Sequence, residues 1–459
     1  MKSIMIIGAG FSGAVIAARL LQQHTGPLQL YLVNGSGRIA RGMAYGTQSA
    51  DHTLNVPAGN MSAFDEDSEH FLRYARSIDS TVGPGSFVSR RIYGDYLEWL
   101  LEEAARHRSE GVELHRIYQQ VSSIVPADGG ASTVKLESGE TLPVDKVVLA
   151  LGHFSSNHPR VADMTFYDSA RYVRDPWDQA RLEGIPHDAP VLLLGTGLTA
   201  VDVAMTLLNR NPERRITAVS RRGLLPQHHR HAAAHPVSGL RADAIWGNAA
   251  TVREQLRAFR HYCRSLAAEG RDWREGLALL RPVTADVWLA YPERERKRFL
   301  RHVQPYWDTH RHRLAPAIHE RFSAALAAGA VQTLAARVQG YEEADDGVLV
   351  SLRPRATQVA QLVKAGWVIN CTGPCADPRS TGNALVAQLL GDGFIRTDSL
   401  GLGLDVAANC AVVDSHGQPS DSLFYIGPWL KANYWEATAV PDLRRFAQQL
   451  AQTLISAQD

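Results

Sequence analysis

The sequence lacks several features that mark secreted, membrane-spanning or nucleic-acid-binding proteins. Its 459 residues include only 4 cysteines, too few for a disulfide scaffold. No apolar run is long enough to cross a bilayer, and the first residues lack the apolar stretch and cleavage site of a signal peptide. The formal net charge of +1 gives no general attraction to nucleic acid or anionic membranes. We therefore expect a cytoplasmic protein with no nucleic-acid or membrane partner.

The composition is that of a folded protein, and a glycine-rich turn lies near the N-terminus. Hydrophobic residues make up 45% and charged residues 21%, which excludes a disordered chain. The turn follows an apolar run at 3–7 and precedes a helical stretch at 14–23 and a second apolar run at 28–33. Its G-x-G-x-x-G residues are Gly8, Gly10, Phe11, Ser12 and Gly13. Strand, turn, helix and strand in this order predict a dinucleotide-binding site.

Each glycine of this first turn serves phosphate binding. Gly8 permits the tight turn, Gly10 lets the backbone approach a pyrophosphate, and Gly13 lets the helix pack closely on the strand. The N-terminus of the helix adds N–H donors and the positive end of the helix dipole. We therefore expect the pyrophosphate of a dinucleotide to bind here.

A second glycine-rich turn repeats the first. An apolar run at 191–194 precedes it, and a helical stretch at 201–208 and a strand at 215–220 follow. The motif is the form that ends in alanine, and its residues are Gly195, Thr196, Gly197, Leu198 and Thr199. The chain is thus predicted to have two dinucleotide-binding sites of the same design.

The residues at the end of each second strand indicate which nucleotide binds. Asn34 and Arg221 each lie 26 residues after the first glycine of their motif, where the adenine-side ribose is normally read. Ser220, Arg221 and Arg222 supply a hydroxyl and two guanidiniums that can hold a 2′-phosphate, which predicts NADPH rather than NADH at the second site. The alternative is a solvated arginine pair at a strand end. Asn34 is neutral, so its hydrogen bond to a ribose hydroxyl would have less charge assistance than that of an acidic residue.

The remaining pattern completes an α/β fold with two Rossmann-like domains. Strands predicted at 141–151 and 366–371 each run into glycine, and a strand at 422–426 precedes a helix with apolar residues at helical spacing from 440 to 454. A mostly helical insertion is predicted at about 227–326, with a short β segment near 330–353.

Six stretches together resemble a known protein family. They lie at 41–46, 54–64, 90–97, 195–203, 306–313 and 425–444. With the two turns, they resemble the FAD/NAD(P)-binding oxidoreductases, uncharacterised flavoproteins with two dinucleotide-binding domains. These are distantly related to flavin-dependent N-hydroxylating and class B monooxygenases. The resemblance implies a discontinuous FAD domain at 1–155 plus 366–459 and an NADP domain at 156–365.

The resemblance also implies an activity and further cofactor-binding residues. The expected enzyme passes hydride from NADPH to FAD and then oxygen to a small polar or amine substrate. Arg38 and Arg41 are expected at the FAD phosphates, and Asn55, Met61 and Ser62 beside the flavin ring. The N-terminus of the last helix is expected to point at the flavin, which places Gly427, Glu436 and Thr438 in the cofactor site. For each residue, the alternative is a role in loop packing.

The sequence departs from the family pattern at three places. Asn34 replaces the usual acid, Gly427-Pro428 replaces the usual Gly-Asp, and the monooxygenase signature of Phe, Gly, His and Trp is absent. His153-Phe154 lies nearby at the wrong spacing. These departures leave two alternatives open: an NADPH-dependent flavin dehydrogenase or reductase without oxygenation, and a non-catalytic flavin-binding sensor.

Three further groups of residues are candidates for chemistry. His302, His310 and Arg313 share one face at helical spacing and, with His312 and Arg311, predict a site for an anionic substrate or NADPH phosphates, unless they pack against Trp307. The histidines 228, 229, 231 and 235 lack a nearby Cys or carboxylate at ligand spacing, so no metal is expected. The spacing of Cys371 and Cys375 does not fit a dithiol exchanger. No residue is predicted as a catalytic base, and the sequence indicates neither substrate nor oligomeric state.

Overall fold

The computed structural model describes residues 1–127, 131–230, 243–247 and 249–456. The strands in these ranges are β1 (Lys2–Ile7), β2 (Leu28–Val33), β3 (Val112–Ile117), β4 (Val121–Val125), β5 (Ser132–Leu136), β6 (Thr141–Val144), β7 (Lys146–Leu149), β8 (Tyr172–Val173), β9 (Val191–Leu194), β10 (Ile216–Ser220), β11 (Val331–Ala344), β12 (Gly347–Pro354), β13 (Gln361–Ala365), β14 (Trp367–Asn370), β15 (Ala411–Val413) and β16 (Pro419–Tyr425).

The α-helices in the same ranges are α1 (Phe11–Gln23), α2 (Gly42–Tyr45), α3 (His70–Ile78), α4 (Arg90–Arg106), α5 (Gln179–Glu183), α6 (Leu198–Arg210), α7 (Asp243–Trp246), α8 (Val252–Ala268), α9 (Trp273–Leu280), α10 (Thr284–Ala290), α11 (Glu293–His302), α12 (Gln304–Arg311), α13 (Pro316–Ala327), α14 (Ala384–Gly391), α15 (Lys431–Tyr434) and α16 (Val440–Ser456). Short 3₁₀ helices occupy Ala58–Asn60, Thr165–Asp168, Arg281–Val283, Pro378–Ser380 and Pro428–Leu430. Across the described ranges, no helix combines the length and apolar character needed to cross a membrane.

The chain divides into two compact units, the first formed by residues 1–155 and 374–459 and the second by 156–373. In the first unit, β3, β2, β1, β7 and β16 form a parallel sheet in that order, and β15 is an antiparallel edge strand. β4, β5 and β6 form a separate antiparallel sheet. The assignment of FAD to this unit stays a prediction.

The second unit is also built on a parallel sheet. β8, β14, β9, β10 and β11 are parallel in that order, and β12 and β13 extend the sheet antiparallel to β11. Helices α7 to α13 lie in the chain between β10 and β11. The predicted α/β class, with two Rossmann-like sheets and a helical insertion, is confirmed. The β segment after the insertion is longer than predicted, since it extends to Ala365.

The single strand predicted at 141–151 is wrong. The chain breaks at Asp145, so that β6 joins the small antiparallel sheet and β7 joins the parallel sheet beside β1. The Asp145 carboxylate accepts hydrogen bonds from the backbone N–H and the hydroxyl of Ser3, at 2.7 and 2.8 Å. This polar anchor fixes the point at which the chain passes from one sheet to the other.

The core of the first unit contains residues of the sheet and of several helices, among them α1, α4 and α16. α1 packs against α4 and against the C-terminal helix α16. The apolar residues predicted to share one face of the last helix are all buried, and they are Val440, Leu443, Ala447, Leu450 and Leu454. This packing holds the N-terminal end of α1 beside the carboxyl end of β1.

In the helical insertion, a buried carboxylate links two helices. Glu295 of α11 is only 1% exposed. It accepts a hydrogen bond from the backbone N–H of Val252, at the start of α8, at 3.0 Å, and pairs with Arg298 at 2.6 Å. Because a buried carboxylate without partners is costly, this pairing favours one placement of α11 against α8.

Candidate functional site

The first glycine-rich turn lies at the carboxyl end of β1, as predicted. Gly8 has φ +103°, and a Cβ there would lie 2.3 Å from the carbonyl oxygen of Ala150, just beyond β7. Its N–H donates to the carbonyl of Val33 at 2.9 Å. A Cβ on Gly13 would lie 2.0 Å from the carbonyl oxygen of Gly8, so the helix packs as closely on the turn as the motif requires.

The N-terminus of α1 is left available for an anion. Gly10 precedes the helix, and no side chain caps its first N–H groups. The first turn, which includes Phe11 and Ser12, contains no acidic residue. Uncapped N–H groups and the positive end of the helix dipole together favour a phosphate.

The second turn has the same geometry. Gly195 has φ +116°, and a Cβ there would lie 2.3 Å from the carbonyl oxygen of Cys371, which follows β14. Its N–H donates to the carbonyl of Val219 at 2.7 Å. Gly197 is exposed and precedes α6, whose first turn includes Leu198 and Thr199 and has neither a side-chain cap nor an acidic residue. Each unit therefore has one glycine-rich turn followed by an uncapped helix N-terminus at the carboxyl end of a parallel strand.

The strand register corrects the predicted equivalence of Asn34 and Arg221 by one residue. Ile7 pairs with Val33 in the first sheet, and Leu194 pairs with Val219 in the second. Asn34 and Ser220 therefore occupy equivalent positions, and Arg221 and Arg222 follow them. Equal spacing in the sequence was misleading because β2 and β10 are reached by connections that differ in length by one residue.

The predicted residue Ser220 is fixed by the turn beside it. The Thr196 hydroxyl lies 2.9 Å from Ser220 Oγ and 2.6 Å from the carbonyl oxygen of Leu224. Ser220 Oγ also accepts a hydrogen bond from the N–H of Gly223 at 2.9 Å. Thr196 thus joins the glycine-rich turn to the end of β10 and orients the segment that carries both arginines.

Asn34 and the two predicted phosphate-binding arginines lie in the loop after β2. The Asn34 side-chain amide donates to Ser36 Oγ at 2.8 Å and to the carbonyl oxygen of Arg38. Arg38 is exposed. Arg41 forms ion pairs with Asp95 and Glu98 of α4, and the hydrogen bond to Glu98 raises the pKa of Arg41 above its ordinary value. The charge of Arg41 is therefore balanced within the chain.

Arg41 is expected to stabilise the fold whatever it contributes to phosphate binding. The Arg41→Met variant would leave Asp95 and Glu98 without their shared cation. Because these carboxylates are 40% and 43% exposed, we expect a loss of about 1–2 kcal/mol in the free energy of unfolding. Urea denaturation measures this loss, with Arg38→Met as the control. An unchanged midpoint for Arg41→Met would contradict this role.

The residues predicted beside the flavin ring differ in exposure. Met61 is 2% exposed and Ser62 is fully buried, whereas Asn55 is half-buried. The Ser62 hydroxyl lies 2.9 Å from the carbonyl oxygen of Phe64 and 2.5 Å from that of Asp67. Ser62 therefore has a packing role in its own loop, and the contact of these three residues with a flavin stays a prediction.

The carboxyl ends of the neighbouring strands β7 and β16 bring a histidine and three aromatic side chains near one edge of the first sheet. Phe154 stacks on Trp429, with ring centroids 4.9 Å apart, and Trp429 stacks on Tyr425. Gly427 has φ +148°, and a Cβ there would lie 2.7 Å from Tyr425 Oη. His153 follows β7. The sequence does not predict the stacking of Trp429, because its partner Phe154 follows a strand that lies far from Trp429 in the chain.

His153 is expected to be neutral near physiological pH. Burial, and then the charge of Lys431, lower the pKa of His153 to about 4. In the unfolded chain its pKa is about 6.5, so below that pH His153 binds a proton in the unfolded state but not in the folded state. Stability is therefore lost as pH falls from about 6.5 towards 4.

We predict that His153→Gln removes this loss. Between pH 7 and pH 5 the wild-type protein should lose about 2 kcal/mol more in its free energy of unfolding than the variant, because only the wild type carries this histidine. Urea denaturation at the two pH values measures the difference. His107 is exposed, and His107→Gln is the control. Between pH 7 and pH 5 this variant should lose as much free energy of unfolding as the wild type. Equal losses for wild type and His153→Gln would mean that this histidine titrates normally.

The segment before the last helix contains the other predicted flavin contacts. Glu436 is half-buried and Thr438 is exposed, and α16 begins two residues later, at Val440. Trp435 has φ +60°, and Lys431 Nζ lies 4.3 Å from the centroid of its ring. The prediction that these residues contact a flavin is not tested by their placement.

A cationic cavity of about 820 Å³ lies in the second unit, beyond the carboxyl end of β10. Arg221 and Arg222 line it, as do Arg301 and His302 of α11 and the strands β11 and β12. Asp308 is the single carboxylate among the lining residues. Arg222 donates to the carbonyl oxygen of Arg301 at 2.9 Å and lies over the Tyr306 ring. The predicted arginine pair therefore belongs to a larger positive site.

The histidines and arginines at 302–313 do not share one helix face, so that prediction is wrong. α11 ends at His302 and α12 begins at Gln304, because Pro305 suits a new first helical turn rather than a helix interior. His302 lines the cavity, whereas His310 packs edge-on against Trp273 at 4.9 Å. Arg313 lies beyond α12, where burial and the charges of Arg311 and Arg274 lower its pKa to about 10.

The histidines at 228–235 and the cysteines are the remaining candidates in the sequence for metal-binding or redox chemistry. His228 stacks on His319 at 4.3 Å, and His231 and His235 lie outside the described residues. Within the described ranges, no group of three or more His, Cys, Asp or Glu side chains is placed to hold a metal ion. All four cysteines are free thiols, and burial raises the pKa of Cys371, which disfavours a thiolate.

Comparison with known proteins relates the chain to flavin enzymes. Residues 5–154 match the FAD-NAD(P)-binding family. The chain is 27% identical over 230 residues to nitrosuccinic acid synthase npaA of Aspergillus oryzae, which covers 43% of this chain and 34% of that protein. It is 33% identical over 143 residues to an L-aspartate N-monooxygenase (nitrosuccinate-forming) of Streptomyces cremeus, covering 28% of this chain and 20% of that protein. The matched regions thus span about a fifth to a third of these curated relatives.

Solved structures share the fold along the whole chain. An ornithine N-hydroxylase of Kutzneria sp. 744 superposes with a TM-score of 0.66 at 14% identity, covering 100% of this chain and 99% of that one. An L-lysine 6-monooxygenase of Pseudomonas syringae superposes with a TM-score of 0.66 at 17% identity, covering 100% of both chains. At these identities the likeness concerns the fold alone.

Proposed function

Because the chain matches the FAD-NAD(P)-binding family over residues 5–154 and is a distant relative of flavin-dependent N-monooxygenases, we propose that it is a FAD-dependent monooxygenase that uses NADPH. The substrate would be a small polar compound or amine. One observation carries the proposal: the chain has two glycine-rich turns of the same geometry, at Gly8 and Gly195, one in each unit. Two such turns suit an enzyme that brings two dinucleotides together.

The first turn fits FAD. Gly8 and Gly13 leave no room for a Cβ, and the uncapped N-terminus of α1 offers N–H donors to a pyrophosphate. Asn34 can contribute a hydrogen bond to the adenine-side ribose. When bound, FAD supplies the chemistry that side chains lack, since it accepts hydride from a reduced nicotinamide and reacts with oxygen in its reduced form. The chain contributes binding, orientation and the exclusion of water.

The second turn fits NADPH. The uncapped N-terminus of α6 would hold the pyrophosphate, and the arginines after β10 would pair with the 2′-phosphate. Ser220, oriented by Thr196, would bond the ribose or its phosphate. An acidic residue at this position would repel a 2′-phosphate, whereas the sequence Ser-Arg-Arg attracts it.

The proposed reaction consumes one NADPH and one O₂ for each hydroxylated amine. One oxygen atom enters the N–O bond, and the other leaves as water with hydrogen from NADPH and a solvent proton. NADPH supplies two of the four electrons that reduce O₂, and the amine that is hydroxylated supplies the other two. The curated relatives that act on L-aspartate make small amino acids reasonable first substrates.

The test is to supply purified, flavin-loaded protein with NADPH and follow the flavin absorbance, first without oxygen and then with it. We expect rapid bleaching without oxygen. In air, a true substrate among L-aspartate, L-ornithine, L-lysine and small amines should lower the hydrogen peroxide released per NADPH oxidised. Under ¹⁸O₂, the product should gain one labelled oxygen by mass spectrometry. A flavin that NADPH does not bleach would contradict the proposal and favour the sensor alternative.

A second candidate is an NADPH-dependent flavin dehydrogenase or reductase that transfers no oxygen. The absence of the monooxygenase signature, with His153 and Phe154 at the wrong spacing, favours it. In that case NADPH would bleach the flavin, but no amine would lower the peroxide yield and no product would carry ¹⁸O. The same experiment therefore separates the two candidates.

A further inference from the structure

The cavity of the second unit contains more positive charge than two arginines supply. Six arginines line it, namely Arg221, Arg222, Arg301, Arg337, Arg353 and Arg355. A phosphate monoester carries a charge of about −1.5 to −2 near neutral pH, which two guanidiniums balance. The remaining arginines therefore need an explanation of their own.

Three of these arginines come from the β11–β12 hairpin, which sequence reasoning did not connect with nucleotide binding. Arg337 of β11 lies directly opposite Arg353 of β12 in the antiparallel ladder. Their neighbours Ala336 and Leu352 are buried in the core, so the pleat turns Arg337 and Arg353 towards the other face. Arg355 directly follows the end of β12. All three are exposed, and all three line the cavity.

The arrangement of the hairpin arginines is unfavourable without a ligand. Like charges directly opposite each other in a sheet destabilise it. Within the described ranges, neither Arg337 nor Arg353 forms an ion pair that would offset the repulsion. Positions that reduce the stability of the free protein are common in binding sites, where the ligand supplies the missing countercharge.

The hairpin arginines also lie where the ribose phosphate of NADPH is expected. Ser220, at the end of β10, pairs with Ala335 of the parallel strand β11. Arg337 is therefore two residues further along in the same direction as Arg221 and Arg222. The adenine-side ribose of a bound dinucleotide lies beyond this end of β10.

We propose that Arg337, Arg353 and Arg355 complete the site for the phosphorylated adenosine of NADPH and help to select the 2′-phosphate. This inference rests on the proposed NADPH-dependent function. The ligand class is an adenine nucleotide with a phosphate on the ribose 2′-oxygen. Arg221 and the hairpin arginines bind this phosphate from neighbouring strands of one sheet.

The test uses calorimetric titration of the full-length, flavin-loaded protein with 2′,5′-ADP and with 5′-AMP, two probes that differ only by the 2′-phosphate. The measured quantity is the ratio of their dissociation constants. We expect Arg337→Ser and Arg353→Ser each to lower the preference for 2′,5′-ADP about tenfold, while the affinity for 5′-AMP changes less than about threefold. Arg260→Ser, which removes an exposed arginine of α8 outside the cavity, is the matched control and should keep the wild-type ratio.

A thermal melt without nucleotide provides a second readout. Removing one member of the Arg337–Arg353 pair relieves repulsion, so both variants should melt at or above the wild-type temperature. A purely structural role would instead lower the melting temperature and weaken both probes alike. That pattern would overturn the inference.

The outcomes also separate this inference from the proposed function. If the wild type prefers 2′,5′-ADP and only Arg221→Ser removes the preference, the hairpin inference is wrong and the NADPH assignment stands. If the wild type does not prefer 2′,5′-ADP to 5′-AMP, the NADPH assignment fails and the hairpin inference fails with it. If Arg221→Ser and the hairpin variants all lower the ratio, both are supported.

Discussion

Gly195→Ala is expected to give a protein that keeps its flavin but oxidises NADPH about 100-fold more slowly, since a displacement near 1 Å at a reacting centre can cost that much. The new Cβ would lie 2.3 Å from the Cys371 carbonyl oxygen, at a residue whose φ of +116° L side chains rarely adopt. The turn must shift to relieve this contact, and the N–H groups that we propose bind the pyrophosphate shift with it. Stopped-flow reduction of the bound flavin by NADPH measures the effect.

The matched control is Gly340→Ala in β11, in the same unit. A Cβ there meets nothing within 4 Å, and the residue is outside the left-handed region. Its rate of flavin reduction should stay within about twofold of the wild type, as expected for a surface change without a specific mechanism. If Gly195→Ala reduced its flavin at the wild-type rate, the second turn would not be the NADPH site. If Gly195→Ala lost its flavin as well, the substitution would have disturbed more than the second unit.

Arg221→Ser is expected to change the coenzyme preference. Loss of one guanidinium from the 2′-phosphate should raise the KM for NADPH about 30-fold, because a charge-assisted hydrogen bond contributes about 1.5–3 kcal/mol. The KM for NADH should change little, since NADH has no 2′-phosphate. Steady-state kinetics with both coenzymes measure the ratio. Arg221 is chosen over Arg222 because Arg222 also bonds the Arg301 carbonyl oxygen.

Salt provides an independent check of the Arg221 prediction. Because the site is exposed, added KCl should weaken NADPH binding to the wild type more than to Arg221→Ser. Arg260→Ser should keep the wild-type KM for NADPH and the wild-type response of NADPH binding to KCl. A KM for NADPH that Arg221→Ser leaves unchanged would show that the arginines after β10 are a solvated pair, the alternative that the sequence leaves open.

Much of the scaffold follows from local sequence. The predicted strands at 28–33 and 191–194 agree with the bounds of β2 and β9. The helices after both turns were predicted too short, since α1 begins at Phe11 and α6 at Leu198. These elements are predictable because strand hydrophobicity, turn glycines and helical spacing are properties of neighbouring residues.

The errors arose where partners lie far apart in the sequence. The strand expected at 141–151 is divided because Asp145 is anchored by Ser3, which lies 142 residues earlier in the chain. The equivalence of Asn34 and Arg221 failed by one residue, because register is set by strand pairing and not by counting. The ion pairs of Arg41 with Asp95 and Glu98 were likewise missed, because these carboxylates lie 54 and 57 residues further along the chain; the contact of Arg41 with a phosphate stays a prediction.

The sequence by itself determined the α/β class, the two glycine-rich turns and the residues at the end of β10, because each depends on the order of residues over short distances. The tertiary structure alone decided which side chains share a site. It placed the hairpin arginines Arg337 and Arg353 beside Arg221, and His302 in the same cavity, although they lie about 80 to 130 residues further along the chain. Strand pairing and the pleat bring such residues to one face of the sheet. No local pattern in the sequence predicts this proximity.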